Sequence, residues 1–307
     1  MSVPALPNVV QHSKPGVVRV GVLFSSDPEL HTSALRYLLL KLNSLQAHFE
    51  YELLPVNLRQ TGLAELDEKD CGRLREIIRD VRAPQFLKDF VAGLNEMNKE
   101  YGLQEDPPMN YLLITSTRFS DNYYSTRPEF SLTSPYRFSI LALGNWKSHM
   151  APPSLAEFIL TLTLRESVAF VSDTLCASVH LGTKGCIFDF TASLEEAKFK
   201  TLHGFVCEFC RNALVQDGLA DLAPSIGTIL RKEWLGRRSD PSSAAGILAK
   251  LGYDLFVTRG LVPSGWERFR SAIQNEGTKQ LIEIVGKVIL ALLFLYLSIH
   301  GIKVKTE

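Results

Sequence analysis

The chain lacks an excess of charge of either sign: 33 Lys and Arg stand against 33 Asp and Glu in 307 residues. A protein that holds duplex nucleic acid by neutralising many phosphates needs a basic excess, so nucleic acid is not an expected partner. Cysteine is scarce, with five residues, an odd number, four of them in a late cluster. That usage does not fit a secreted disulfide scaffold and favours a reducing compartment. The first eleven residues carry no basic stretch followed by an apolar core, so a Sec-type signal peptide is not expected. Phosphate-cradling loops of the G-x-x-x-x-G-K-[ST] or G-x-G-x-x-G type are absent, as is a G-x-S-x-G elbow. Nucleotide binding and serine hydrolysis through those devices therefore have no support. There is no repeat or low-complexity tract.

With 46% apolar residues the chain has ample material for a core, in one large or two modest domains. Val17 to Phe24 is an almost continuous, β-branched apolar run, the pattern of a buried parallel strand, with a helix expected from Pro28. Leu35, Leu38, Leu39 and Leu42 recur at helical spacing. Further strands are expected at Phe49 to Val56, Asn110 to Thr115 and Phe138 to Leu143, and a charged helical region at Leu66 to Tyr101, broken near Pro84. Ser154 and Glu157 form a capping box for a helix from Leu155 to about Leu175, too short and too interrupted by Arg165, Glu166 and Asp173 to span a membrane. Alternating strands and helices predict an α/β layer with a mostly parallel sheet. Later, Asp240 and Pro241 read as N-cap and first turn of a helix ending near Gly252, and Ser264 with Glu267 as another capping box.

The densest chemistry lies between His180 and Cys210. Cys186 follows His180 after five residues, and Cys207 and Cys210 follow 20 residues later as C-E-F-C. Two short pairs separated by a loop can clamp one tetrahedral Zn²⁺, each pair turning around the metal, and Gly185 and Gly204 supply backbone freedom beside them. Cys176 is the alternative fourth ligand in place of His180, at the cost of closing a larger loop. His203 is a further substitute. Cys71, in a charged stretch, is expected to be an ordinary helix residue. Asp189 is expected to orient the zinc loop by accepting a hydrogen bond. Three thiolates and an imidazole fill all four positions and leave none for water, which makes a structural rather than a catalytic zinc. Such an electron-rich ion is a poor Lewis acid.

The segment CIFDFTASLEEAKFKTLHGFVCEFCRNAL, Cys186 to Leu214, resembles the C-terminal zinc-binding part of archaemetzincins. It is closer still to archaemetzincin-like bacterial proteins of unassigned function that carry H-x-x-T-[RK]-G-C-x-F-D before a C-x-x-C; here the residues are HLGTKGCIFDF. The resemblance covers about 35 residues and implies a zincin-like α/β fold. Metzincins place H-E-x-x-H-x-x-G-x-x-H on the preceding helix, so that His side chains face a catalytic zinc while Glu activates water. Here Arg165, Ala169 and Leu175 stand at the three His positions and only Glu166 matches. The resemblance therefore implies a closed zinc site that is kept and a catalytic metal site that is lost. Glu166, the remaining catalytic candidate, is expected in an ion pair or facing solvent unless it lies in a cleft.

From Ile284 to Ile302 the run IVGKVILALLFLYLSIHGI contains one charge, Lys287, and as a helix would be roughly 28 Å long. A membrane-spanning helix and a last core helix that is apolar all round both fit; Lys303 and Lys305 beyond it run against the positive-inside tendency. The expected organisation is an α/β zinc domain over residues 1–218, a helical region over 219–280, and the apolar helix with a short tail over 281–307. The loop from Arg118 to Tyr136 can hold a ligand or protein partner, or cover the sheet edge. Two functions follow. One is a non-catalytic, zinc-stabilised sensing or interaction module, cytoplasmic and anchored at its C-terminus or else soluble. The other is a zinc peptidase with non-standard ligands drawn from Glu166, His149 and His203.

Overall fold

The computed structural model describes residues 16–26, 32–54, 56, 58, 63–68, 70–72, 76, 84–102, 106–120, 123–126, 135–144, 153–177, 180–181, 184–192 and 194–253. The apolar run at 284–302, the capping box at Ser264, and His149 lie outside the described residues.

Four strands form a parallel sheet: β1 (Val18–Phe24), β2 (Phe49–Leu53), β4 (Asn110–Thr115) and β6 (Arg137–Ala142), in the order β2-β1-β4-β6. Val20 lies opposite Tyr51 on one side and Asn110 on the other, and Asn110 in turn opposite Arg137. A parallel sheet needs cover on both faces, and the strand side chains divide accordingly. Val20, Val22, Leu112, Ile114 and Leu141 point into one hydrophobic cluster. Leu23, Tyr111, Leu113, Phe138 and Ile140 point into the other. On the first face lies α1 (Thr32–Leu45), which buries Leu35, Leu38, Leu39 and Leu42 at the predicted spacing. Its Asn43 side chain donates to and accepts from the backbone of Tyr51, at 2.9 and 2.8 Å. The second face is covered by α2 (Pro84–Glu100) through Phe90, Val91 and Leu94.

Among the described residues, the stretch from Leu66 to Gly72 is not the α-helix expected. A 3₁₀ turn at Ala64–Asp67 leads into a two-residue strand, β3 (Asp70–Cys71), which pairs in parallel with β5 (Arg118–Phe119). Cys71 is thus a strand residue. This pairing is with a segment 48 residues away, which local periodicity cannot register.

The central helix, α3 (Leu155–Val171), starts at the expected capping box and is buried on nearly every side. It stops at Ser172, and α4 (Asp173–Ala177) follows at once. Asp217 accepts hydrogen bonds from the Ser172 hydroxyl, the Thr174 N–H and the Thr174 hydroxyl, tying this junction to the segment after Cys210. The zinc-loop region carries α5 (Leu194–His203) and α6 (Glu208–Gln216), followed by α7 (Leu222–Leu230) and α8 (Ala244–Lys250). Leu222, Ile226, Ile229, Leu230 and Leu248 join the same hydrophobic cluster as α1 and α3. Helix α8 begins later than expected. Asp240 accepts from the N–H and hydroxyl of Ser242 in a tight turn, and Ser243 is the N-cap, accepting from the Gly246 N–H at 3.0 Å. Among the described residues no helix is long and apolar enough to cross a membrane.

Candidate metal centre

Residues with metal-binding chemistry converge at the junction of two chain segments. His180 pairs with Asp189 and Cys186 with Phe205 in short parallel bridges, which lay the His180–Asp189 loop against the strand-like approach to Cys207. Cys207 is the N-cap of α6, so Cys207 and Cys210 stand at the N-terminal end of a helix, where the backbone dipole favours thiolate. One ligand atom from each of His180, Cys186, Cys207 and Cys210 lies within 4.8 Å of the others. All three thiols are buried and the imidazole nearly so. Cys176, the alternative ligand, is buried on α4 and stands outside this group.

The spacings fit one small tetrahedral cation. With Zn–S near 2.3 Å and Zn–N near 2.05 Å, a regular tetrahedron has S···S edges of about 3.8 Å and S···N edges of about 3.5 Å. Cys186 Sγ and Cys210 Sγ are 3.8 Å apart, and His180 Nε2 is 3.3 Å from the Sγ of both Cys207 and Cys210. The Cys207 N–H also points at Cys186 Sγ, at 3.4 Å. The Cys210 thiol beside it, with the N–H groups of Cys207 and Phe188, holds the Cys186 thiol down at about 5 despite its burial. The interaction with Cys186, together with burial, pushes Cys210 up. A divalent cation bound by these sulfurs would take them as thiolates, releasing their protons.

Asp189 orders the site as expected and does more. Its Oδ2 accepts the N–H groups of Lys184, Gly185 and Cys186 at 2.9, 2.6 and 3.1 Å. Its Oδ1 lies 2.8 Å from His180 Nδ1, and neither of these buried atoms has another hydrogen-bond partner. A proton on Nδ1 satisfies both and leaves the Nε2 lone pair directed at the thiols, the carboxylate–histidine arrangement found behind metal-bound imidazoles. His203 stands outside this cluster. Its ring packs on Phe205 with centroids 4.9 Å apart and lies over Gly185, where a Cβ would meet it at 2.1 Å. Gly185 also has φ of 77°, so glycine is required there on two grounds.

Glu166 is fully buried on α3, paired with Arg165, and its Oε2 accepts from the Ser139 hydroxyl at 3.3 Å. Arg165 Nη1 also donates to Ser125 Oγ at 2.8 Å. Ala169 and Leu175, on the same stretch, are buried and apolar. Three residues went unmarked in the sequence: Tyr124, Thr191 and Lys200. Lys200 alone carried a faint signal, lying three residues after Ala197 on the buried face of α5. Of the aromatic loop, Arg118–Phe119 form β5, and Tyr123 to Thr126 runs along β6, with the Thr126 N–H donating to the Ile140 carbonyl at 3.2 Å and the Ala142 N–H to the Tyr124 carbonyl at 2.7 Å.

The chain is similar to the crystal structure of archaemetzincin from Methanopyrus kandleri: the match covers 66% of this chain and 97% of that one, at 11% identity and a TM-score of 0.35. No known protein family and no curated protein matches the chain.

Proposed function

We propose that the protein is a metallopeptidase-like, zinc-stabilised domain that works as a sensing or interaction module and does not hydrolyse peptides. The supporting observation is the donor set: three buried thiols and one imidazole converge with all four zinc positions filled by protein. The Arg165–Glu166 ion pair, standing where a peptidase would place its first ligand and its base, supports the same reading. Exposed Leu181, Phe190 and Phe209 surround the metal loop, Phe209 meeting the His180 ring edge-on at 6.2 Å, and offer an apolar face to a protein partner. The zinc domain is assigned to residues 1–218 and the helical region to 219–280. The apolar run within 281–307 then anchors a cytoplasmic domain to the membrane.

Elemental analysis of purified protein tests the site: one chelator-resistant zinc per chain is expected, with no peptide hydrolysis. A second, labile metal together with hydrolysis lost in Glu166→Gln would establish the peptidase reading instead. Fractionation tests the anchor, the intact chain pelleting with membranes and a chain ending at Gln280 staying in the supernatant; an intact chain that is soluble without detergent removes it.

A further inference from the structure

We propose that Tyr124 and Lys200 are positioning residues that brace the metal loop from the sheet edge and set how tightly the metal is held. The inference rests on the zinc reading above and deepens it. The segment Asp189 to Thr191 is gripped at both ends. Lys200 is buried on α5 and its Nζ donates to the Asp189 carbonyl at 3.2 Å while lying 5.6 Å from the centre of the Tyr124 ring. The Tyr124 hydroxyl is hydrogen-bonded to the Thr191 hydroxyl. Tyr124 is itself fixed, through the backbone bonds to β6 and through its neighbour Ser125, which accepts from Arg165. A continuous set of contacts thus runs from the α3 ion pair through the sheet edge to Asp189, whose carboxylate orients His180 and gathers the N–H groups of the Cys186 turn.

The arrangement also gives the Arg165–Glu166 pair a task. Buried charges are costly unless paired and hydrogen-bonded, and here the cation holds the foot of the brace. Partners behind a metal ligand typically change metal affinity 10–100-fold when removed. Tyr124 and Lys200 act one step further out, through the Asp189 backbone, and an effect near the lower end follows.

The test is zinc release from the full-length holoprotein into a chromogenic chelator, comparing Tyr124→Phe, Lys200→Met and Thr191→Val with Tyr51→Phe. Tyr51 is the matched control, a buried tyrosine of β2 whose hydroxyl lies 3.0 Å from Ser167 Oγ. The three brace variants are expected to release zinc about tenfold faster than wild type, and Tyr51→Phe at the wild-type rate. The visible bands of the cobalt-substituted protein should shift in the brace variants only. Thr191→Val preserves shape at a half-buried site and carries the test if Lys200→Met is insoluble. Wild-type release rates in Tyr124→Phe and Thr191→Val, or equal acceleration in Tyr51→Phe, would overturn the brace. A wild-type protein without zinc would overturn the zinc reading as well, which separates the two failures.

Discussion

At the scale of single residues, the four candidate metal ligands come together as their spacing suggested, and the residues around them are set by tertiary contact. His180, Cys186, Cys207 and Cys210 were legible because short pairs of ligands flanked by glycine have one efficient use, and Asp189 because it sits in the same turn. Gly185 illustrates what could not be read: its left-handed backbone was foreseeable beside a tight turn, the His203 ring above it was not. Gly185→Ala is therefore expected to cost about 3 kcal/mol, combining left-handed strain with overpacking, and to lower zinc content. Adding His203→Ala should restore the steric part alone. Denaturant unfolding with parallel zinc analysis checks this, and a single variant within about 0.5 kcal/mol of wild type would contradict it. Asp189→Asn has one acceptor oxygen for four donors, so its zinc affinity should fall 10–100-fold in chelator competition.

At the scale of elements, the sequence specified what is local. The α3 capping box is present in both directions, with the Ser154 N–H donating to Glu157 at 2.9 Å and the Glu157 N–H to Ser154 Oγ at 3.3 Å. It missed the partner that completes it, Lys232, whose Nζ lies 3.0 Å from Glu157 Oε1 across 75 residues and whose backbone is left-handed, with φ of 62°. Burial raises the Glu157 pKa, but the Ser154 backbone and side-chain hydrogen bonds and Lys232 outweigh it and hold the carboxyl below its ordinary 4.5. A depressed folded pKa means that the unfolded chain binds more protons near that value, so this contribution is present above about pH 4.5 and is lost as pH falls through the folded pKa. Glu157→Gln should accordingly be less stable than wild type at neutral pH, with the difference closing as the pH drops below about 4.5. Comparing the two proteins at each pH cancels the acid release of metal common to both. A gap that stays constant to pH 3 would argue against the carboxylate's role.

At the scale of the whole molecule, the parallel strands and their helices could be read from hydrophobic pattern, but the strand order β2-β1-β4-β6 could not, because it is decided by how helices cover the two faces. The same packing explains why the metal is not a peripheral staple. Cys186, Cys207 and Cys210 belong to the hydrophobic cluster that also holds Leu35 and Leu38 of α1, Phe158 and Leu162 of α3, and Ile226 of α7. Without an ion, three sulfurs and an imidazole are crowded together inside that cluster. Structural zinc is worth about 10–16 kcal/mol in small zinc modules, as much as the whole net stability of a domain, about 5–15 kcal/mol. Cys207→Ser and Cys210→Ser should therefore abolish near-ultraviolet dichroism and cooperative melting across the entire described domain, and chelation of the wild type should do the same. The alternative outcome is specific: if the variants lost zinc yet melted as wild type does, the sheet and α1 would hold without the metal loop, and the continuity of the core would not transmit the metal's contribution.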